Sequence, residues 1–277
     1  GWGGHIYSSA QFSLDEHWRA GLNINRASNQ TYLRAWRYPA PRQLTSDVYL
    51  EGFWGTEGYV RLDSRIYQSL NERDDTSVIP IVLPNLYADY AYPRDAWGGF
   101  LTVDTSNHIL LRTEGTDTRR LASRINYDLP KQDRFGSIWT VRGQADLIGL
   151  SADNLNLGPT FSTTESSVNT ATGNARVALD WRMPFIRSAG EYGSQILEPR
   201  VQLVTGPSTG RQLNIPNEDS LDFEFTDANL FALNRFAGRD RQEGGTRVDA
   251  AMRGAWLFPN GGQVEGLVGR SLRASEE

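Results

Sequence analysis

The sequence predicts an all-β protein, an antiparallel transmembrane β-barrel, and three observations carry that expectation. Apolar and polar residues alternate with period two along many segments. The polar positions of those segments hold full charges, often Arg and Asp together. No apolar stretch approaches the roughly 18–20 residues of a membrane-spanning helix. A membrane crossing would therefore need strands closed into a barrel, the strand arrangement that leaves no backbone unpaired in lipid.

Composition narrows the classes without choosing among them. The 277 residues are 39 % hydrophobic and 22 % charged, with a mean hydropathy of −0.50. A soluble domain and a barrel with a wet lumen share such values, because half of each barrel strand faces water. A net charge of −5 excludes a general attraction to nucleic acid. Eight Trp and eleven Tyr suit interfacial girdles and ordinary sandwiches alike. Without Cys there is neither a disulfide framework nor a thiolate metal site. Lys131 is the single lysine, so the cations are Arg, whose planar fork suits carboxylate and phosphate partners.

The strands follow in order. Trp18, Ala20, Leu22 and Ile24 alternate with Arg19, Gly21, Asn23 and Asn25. Val60, Leu62, Ser64 and Ile66 alternate with Arg61, Asp63 and Arg65. Leu121, Ser123, Ile125 and Tyr127 oppose Arg120, Ala122, Arg124 and Asn126, and Trp139, Val141, Gly143, Ala145 and Leu147 oppose Thr140, Arg142, Gln144 and Asp146. Val177, Leu179, Trp181 and Met183 face away from Arg176, Asp180 and Arg182. Val248, Ala250, Met252, Gly254, Trp256 and Phe258 face away from Arg247, Asp249 and Arg253. Arg176, Asp180, Arg182, Arg247, Asp249 and Arg253 are the candidates for a water-filled lumen. Roughly ten strands of about 8–13 residues are expected, longer than the usual 5–6 of soluble strands and near the 9–11 of membrane strands.

Turn signals separate the strands. Asn71 to Asp75, Pro130 to Asp133, Pro159 to Gly173 and Pro259 to Gly262 are polar or rich in Pro and Gly. Asn260-Gly261-Gly262 reads as a short periplasmic turn and Ser162 to Gly173 as a long extracellular loop. The best helical segment is Asp227 to Phe236, inside a loop.

Motifs for chemistry are weak. Gly206-Pro207-Ser208-Thr209-Gly210 matches a nucleophile elbow by letter, but His5, His17 and His108 all precede the serine. The three His show no zinc spacing. Glu218, Asp219, Asp222, Glu224 and Asp227 lack the spacing of a calcium loop, and a solvated loop face is the plainer reading. No catalytic residue, cofactor or metal is expected.

The stretch from Asn217 to Arg247 differs in kind. It mixes apolar anchors (Leu230, Phe231, Leu233, Phe236) with Arg235, Asp240, Arg241 and Glu243, which predicts a structured loop near 207–246, folded against the barrel interior and held by Arg–carboxylate pairs. Asn229, Phe231, Asn234, Arg235, Phe236, Gly238, Asp240, Arg241, Glu243, Gly244 and Arg247 resemble the signature loop of the LptD family of LPS-assembly proteins, in its alphaproteobacterial form. Leu197-Glu198-Pro199-Arg200-Val201 resembles the strand just upstream.

The resemblance implies a large outer-membrane barrel of about 26 strands. It implies that lipopolysaccharide is received from a periplasmic bridge through an N-terminal domain and released into the outer leaflet. A plug lipoprotein, LptE, is an implied partner. Residues 1–277 then read as part of such a barrel, starting without an initiator Met and ending without a terminal aromatic. Lumenal Arg could meet lipopolysaccharide phosphates, though Arg–Asp pairing across neighbouring strands is the simpler role for each. Changing Arg241 to Ala is expected to impair assembly. Two other classes are carried: a diffusion porin or other large outer-membrane barrel, and a soluble carbohydrate-binding or carbohydrate-active β-protein whose apolar rows would be buried between sheets.

Overall fold

In a computed structural model, residues 3–155, 166–207, 217–219 and 229–274 are described, and they form one antiparallel sheet. Its strands are β1 (His5–Ser13), β2 (Trp18–Ala27), β3 (Gln43–Trp54), β4 (Gly58–Ser69), β5 (Ile81–Ala91), β6 (Phe100–Leu111), β7 (Asp117–Gln132), β8 (Ile138–Asp153), β9 (Ser167–Arg182), β10 (Phe185–Ser188), β11 (Ser194–Gly206), β12 (Gly245–Leu257) and β13 (Gln263–Arg273). Consecutive strands pair in an up-and-down meander, except that β9 and β10 both pair with β11, and the sheet is open between β1 and β13. The one described α-helix, α1, is the single turn Tyr32–Ala35.

β9 and β10 are one strand in two pieces. Arg182 lies opposite Arg200 and Phe185 opposite Leu197, so the register on β11 is unbroken across the gap. Pro184, which has no N–H to give, marks the break.

The connections on one rim are longer than those on the other, as in a barrel, with 112–116 the exception. One rim carries the short turns 14–17, 55–57, 92–99, 133–137, 189–193 and 258–262. The other carries 28–42, 70–80, 112–116, 154–166 and 207–244. Four of the short turns share a device: Asp15, Asp95, Asp133 and Asn260 each accept a backbone N–H two residues on through their side-chain oxygen, at 2.8 to 3.0 Å.

Two boundaries differ from the sequence reading. Pro130 to Gln132 belong to β7, and the turn begins at Asp133. Pairing with β6 has ended by Asp128, so Pro130 has a neighbour only on the β8 side. Ser167 to Gly173 form the first half of β9 instead of a loop, paired with β8 from Asp153 to Leu147. At about 3.3 Å per residue, β7, β8 and β9, with 16 residues each, outrun a bilayer core. Their Ser, Thr and Asn ends can continue the ladder in water, where a polar side chain on either face costs nothing.

The two faces are opposite in chemistry. Trp139 opposite Trp181, Val141 opposite Leu179 and Gly143 opposite Val177 continue one apolar row across strands. No second sheet covers that face among the described residues: Leu121 is 61 % exposed and Val177 57 %. The buried residues are mostly polar or charged, and most of them lie on the other face, with Arg176 at 2 % and Asp249 at 0 %. A soluble sandwich buries the first set and wets the second, so this sheet is inside out for water. Near the short-turn rim the apolar face carries Trp18, Trp54, Tyr90, Tyr127, Trp139, Trp181 and Trp256. Trp18 meets Trp54 edge-on at 5.4 Å. Such a belt is the mark of a headgroup boundary.

Candidate functional site

What covers the polar face is the chain itself. Residues 217–219 and 229–244, between β11 and β12, lie across β6 to β13. The described part of the predicted helix, 229–236, is a series of turns and bends instead. The reason is in its partners: the carbonyls of Phe231, Ala232 and Leu233 accept from the side chains of Arg142 and Arg247 rather than closing an i−4 ladder.

The anchors are apolar first. Leu233 is buried with Ala178 of β9 and Val204 of β11. Leu230 is 2 % exposed and its side chain closes over Gly269 of β13, where a Cβ would stand 2.5 Å from it. Phe231 is buried with the Arg200 guanidinium 4.0 Å above its ring.

Charge then fixes the register. Glu243, buried on all sides, takes Arg235 through a two-pronged contact, Arg247 at 3.1 Å, and Arg273 of β13. Arg235 also donates to Ser271 at 3.1 Å. Arg247 donates to Asp249 at 2.9 Å and to the Leu233 carbonyl at 3.4 Å. Arg176 of β9 donates to the Glu243 carbonyl and to Gln242, both at 2.6 Å, and to Asp146 of β8 at 2.8 Å. Arg142 reaches the Phe231 carbonyl at 3.0 Å. Asn234 ties the loop to itself: its amide donates to the Arg241 carbonyl at 3.0 Å, and its oxygen accepts the Glu243 N–H at 3.0 Å.

A second knot sits toward the long-loop rim. Asp219 accepts the N–H groups of Arg239 and Asp240 at 2.9 and 3.1 Å, and Asp240 accepts those of Glu218 and Asp219 at 2.7 and 3.1 Å. Arg120 of β7 grips Asp240 at 2.6 Å and Asp219 as well. Arg112 takes Glu218 at 2.9 Å, and Arg239 pairs with Asp104 of β6. Gly238 has φ +76, and a Cβ there would fall 2.4 Å from Asp219 Oδ1, so two separate constraints require glycine.

The expected residues distribute unevenly. Phe231, Asn234, Arg235, Asp240 and Glu243 are buried in the docked loop; Asn229, Phe236 and Gly244 are half-buried; Gly238 and Arg241 are exposed. On the strands, Arg176, Asp180, Arg247 and Asp249 are buried on the polar face. Arg182 is exposed, and Arg253 pairs with Glu265 at 2.5 Å near the short-turn rim. Asp180 takes Arg200 at 2.8 Å. Of the acidic group, Glu218 and Asp219 are held by Arg, whereas Asp222, Glu224 and Asp227 lie outside the described residues, as does Ser208. No cluster that could hold a metal occurs among the described residues.

Sequence reasoning passed over Arg239 and Gln242 in the loop, and Asp104, Arg112 and Arg273 that receive it; it placed Arg120, Arg142 and Asp146 on polar strand faces without joining them to the loop. The signal for five of the last six was present: charge at polar-face positions of strands, more of it than strand pairing alone needs, while Arg112 stands just past the end of β6.

The arrangement of the described residues can position and cover. The loop roofs the polar face over half the sheet. Compared with known families, residues 3–277 match the model described as LptD: LPS transport system D. A comparison with curated proteins gave no match.

Proposed function

The chain belongs to the LptD family, and on that premise we propose that its sheet is a sector of a closed outer-membrane barrel through which lipopolysaccharide reaches the outer leaflet. One observation carries the reading: the large apolar rows stand uncovered on one face while the charge is buried on the other under the chain's own loop. Lipid solvates the first face. Each large apolar side chain left bare to water would forgo roughly 1.5–3 kcal/mol. The polar face lines the lumen, and Arg176, Asp180, Arg182, Arg247, Asp249 and Arg253 project there.

Further strands complete the wall, to about 26 in a barrel of this family's size. LptE as a plug, and a periplasmic bridge delivering lipopolysaccharide through an N-terminal domain, are the partners of this reading. The buried arginines are occupied by carboxylates and carbonyls, so their work is to hold loop and wall together rather than to bind lipopolysaccharide phosphates. The same occupancy disfavours a diffusion porin, whose constriction needs charges facing an open path. The soluble carbohydrate-active reading loses its basis with the uncovered apolar face.

The test is made in cells whose only copy of the protein can be depleted. Depletion should strand lipopolysaccharide on the periplasmic side, and restoring the full-length chain should return it to the surface. Normal surface lipopolysaccharide during depletion would remove the transport assignment.

A further inference from the structure

The loop 28–42, on the long-loop rim away from the roofed face, has a composition unlike the rest of the chain. It holds Arg34, Arg37 and Arg42 and no acidic residue, in a protein of net charge −5. It also gathers aromatic rings in water. His5 lies 4.6 Å from Tyr38 and 5.3 Å from Tyr7, and Tyr32 lies 6.3 Å from Tyr38 with the rings stacked. Trp36 is 70 % exposed. Beside them a cavity of about 380 Å³ opens between this loop and 70–80, lined by polar Gln30, Arg34, Arg42 and Asn71 set among Leu33, Tyr38, Ala40, Pro41 and Leu70.

The platform is built rather than accidental. Leu33, 1 % exposed, is packed against Leu44 and Leu70 and pins the loop to the sheet. Asn29 Oδ1 accepts the Tyr32 N–H at 2.8 Å. Arg34 donates to the Leu70 carbonyl at 3.3 Å, which leaves part of its fork toward the cavity. Arg42 pairs with Asp74 at 3.1 Å but its side chain is 77 % exposed. Arg37 is held at φ +58, a left-handed backbone that costs a non-glycine residue roughly 1–2 kcal/mol. A strained residue kept in an exposed loop is a pointer to use.

We propose that this loop binds a negatively charged saccharide. A sugar ring offers an apolar face of C–H groups, which stacks on exposed Trp and Tyr, and an equator of hydroxyls, which suits the planar forks of Arg, Asn and Gln. Across the two loops that frame the cavity, Arg34, Arg37, Arg42 and Arg73 outnumber Glu72, Asp74 and Asp75 by one, and it is Arg34 and Arg42 that line the opening, which favours sugars that carry phosphate or carboxylate. An acyl chain would want a continuous apolar wall, which Gln30, Arg34, Arg42 and Asn71 interrupt. The inference goes beyond transport and needs no step of it. The saccharide can belong to a membrane glycolipid or to a free acidic polysaccharide, and the two differ in their anionic group.

The experiment is equilibrium binding to the full-length protein in detergent, so a failed transport assignment would leave its result standing. Three probes are used: the phosphorylated oligosaccharide freed from lipopolysaccharide by complete deacylation, an oligogalacturonate, and neutral maltohexaose. An anionic probe should bind at least about tenfold more tightly than maltohexaose, and added salt should weaken it. A preference for phosphate assigns the site to a glycolipid, and a preference for carboxylate to a polysaccharide. Trp36→Ala and Arg42→Gln should each weaken binding about tenfold. If Trp36→Ala fails to fold, Arg42→Gln, altered at a mostly exposed side chain, decides alone. Equal binding of all three probes, no saturable binding, or unchanged binding in Arg42→Gln overturns the proposal.

Discussion

Glu243 is the residue on which most of the docked loop converges. Three guanidiniums, from Arg235, Arg247 and Arg273, meet one carboxylate that solvent does not reach. Removing one arginine leaves two to satisfy it, whereas removing the glutamate leaves two buried cations, Arg235 and Arg247, facing each other and the partly exposed Arg273. Glu243→Ala should therefore cost about 3–5 kcal/mol, the range for breaking a buried pair, and Arg235→Ala less. Arg241→Ala should cost less than either, since its side chain is exposed and the loop uses its carbonyl. Thermal unfolding of the purified protein in detergent orders the three, and an Arg241 variant weaker than Glu243→Ala would refute the assignment.

The knot at Arg120 adds a dependence on pH. Burial alone would raise the Asp219 carboxyl; the N–H groups of Arg239 and Asp240 and the Arg120 guanidinium outweigh it and hold it at about 2. Asp240 shares that guanidinium and is pushed up by its own burial. A depressed carboxylate stabilises the fold above its ordinary value and loses that contribution as pH falls through the depressed one. Asp219 should thus release its end of the loop between about pH 4 and pH 2. Asp240, shifted the other way, favours the folded state when protonated and blunts the loss. The chain has no cysteine, so a nitroxide on Ala237→Cys reports the loop alone. Its spectrum should turn mobile across that window, and an unchanged line shape down to pH 2 counts against the knot.

At the scale of the element, each long strand has a depth as well as two faces. Val177 and Asn169 share the apolar face of β9, eight residues apart, one beside Leu179 and Trp181 and the other near the long-loop rim. If lipid covers that face, Val177→Arg should cost roughly 2–4 kcal/mol of folding into vesicles and Asn169→Arg about 1 or less. Equal costs at both positions would mean that no bilayer grades the strand. The strands themselves were legible from alternation, including the faces of β2, β4, β7, β8, β9 and β12. Their ends were less so, because Ser, Thr and Asn mark a loop in sequence but pair equally well in a ladder that leaves the membrane. Pro130 misled for a related reason: proline argues against a strand only where a neighbour needs its N–H.

For the whole molecule, the loop divides the polar face in two. β6 to β13 lie beneath it, while β1 to β5 carry their own pairs, such as Arg19 with Glu51 at 2.7 Å and Arg61 with Asp47 at 3.4 Å. Within the proposed barrel, the loop is the roof that keeps the lumen from conducting. Replacing residues 229–240 with a Gly-Ser linker should raise ion conductance in planar bilayers and sensitise cells to large antibiotics. Unchanged conductance in a correctly folded variant would mean that something else closes the lumen.

Period-two alternation with charge on one side was enough, without any structure, to set the all-β class and the two faces of the strands. Those are properties of neighbouring residues, and an extended chain sends alternate side chains to opposite sides whatever surrounds it. The docking partners of Asp219, Arg239 and Glu243 were decided by tertiary structure alone. Arg120 meets Asp240 across 120 residues of chain, and only the order and register of the intervening strands bring such distant charges within hydrogen-bond reach.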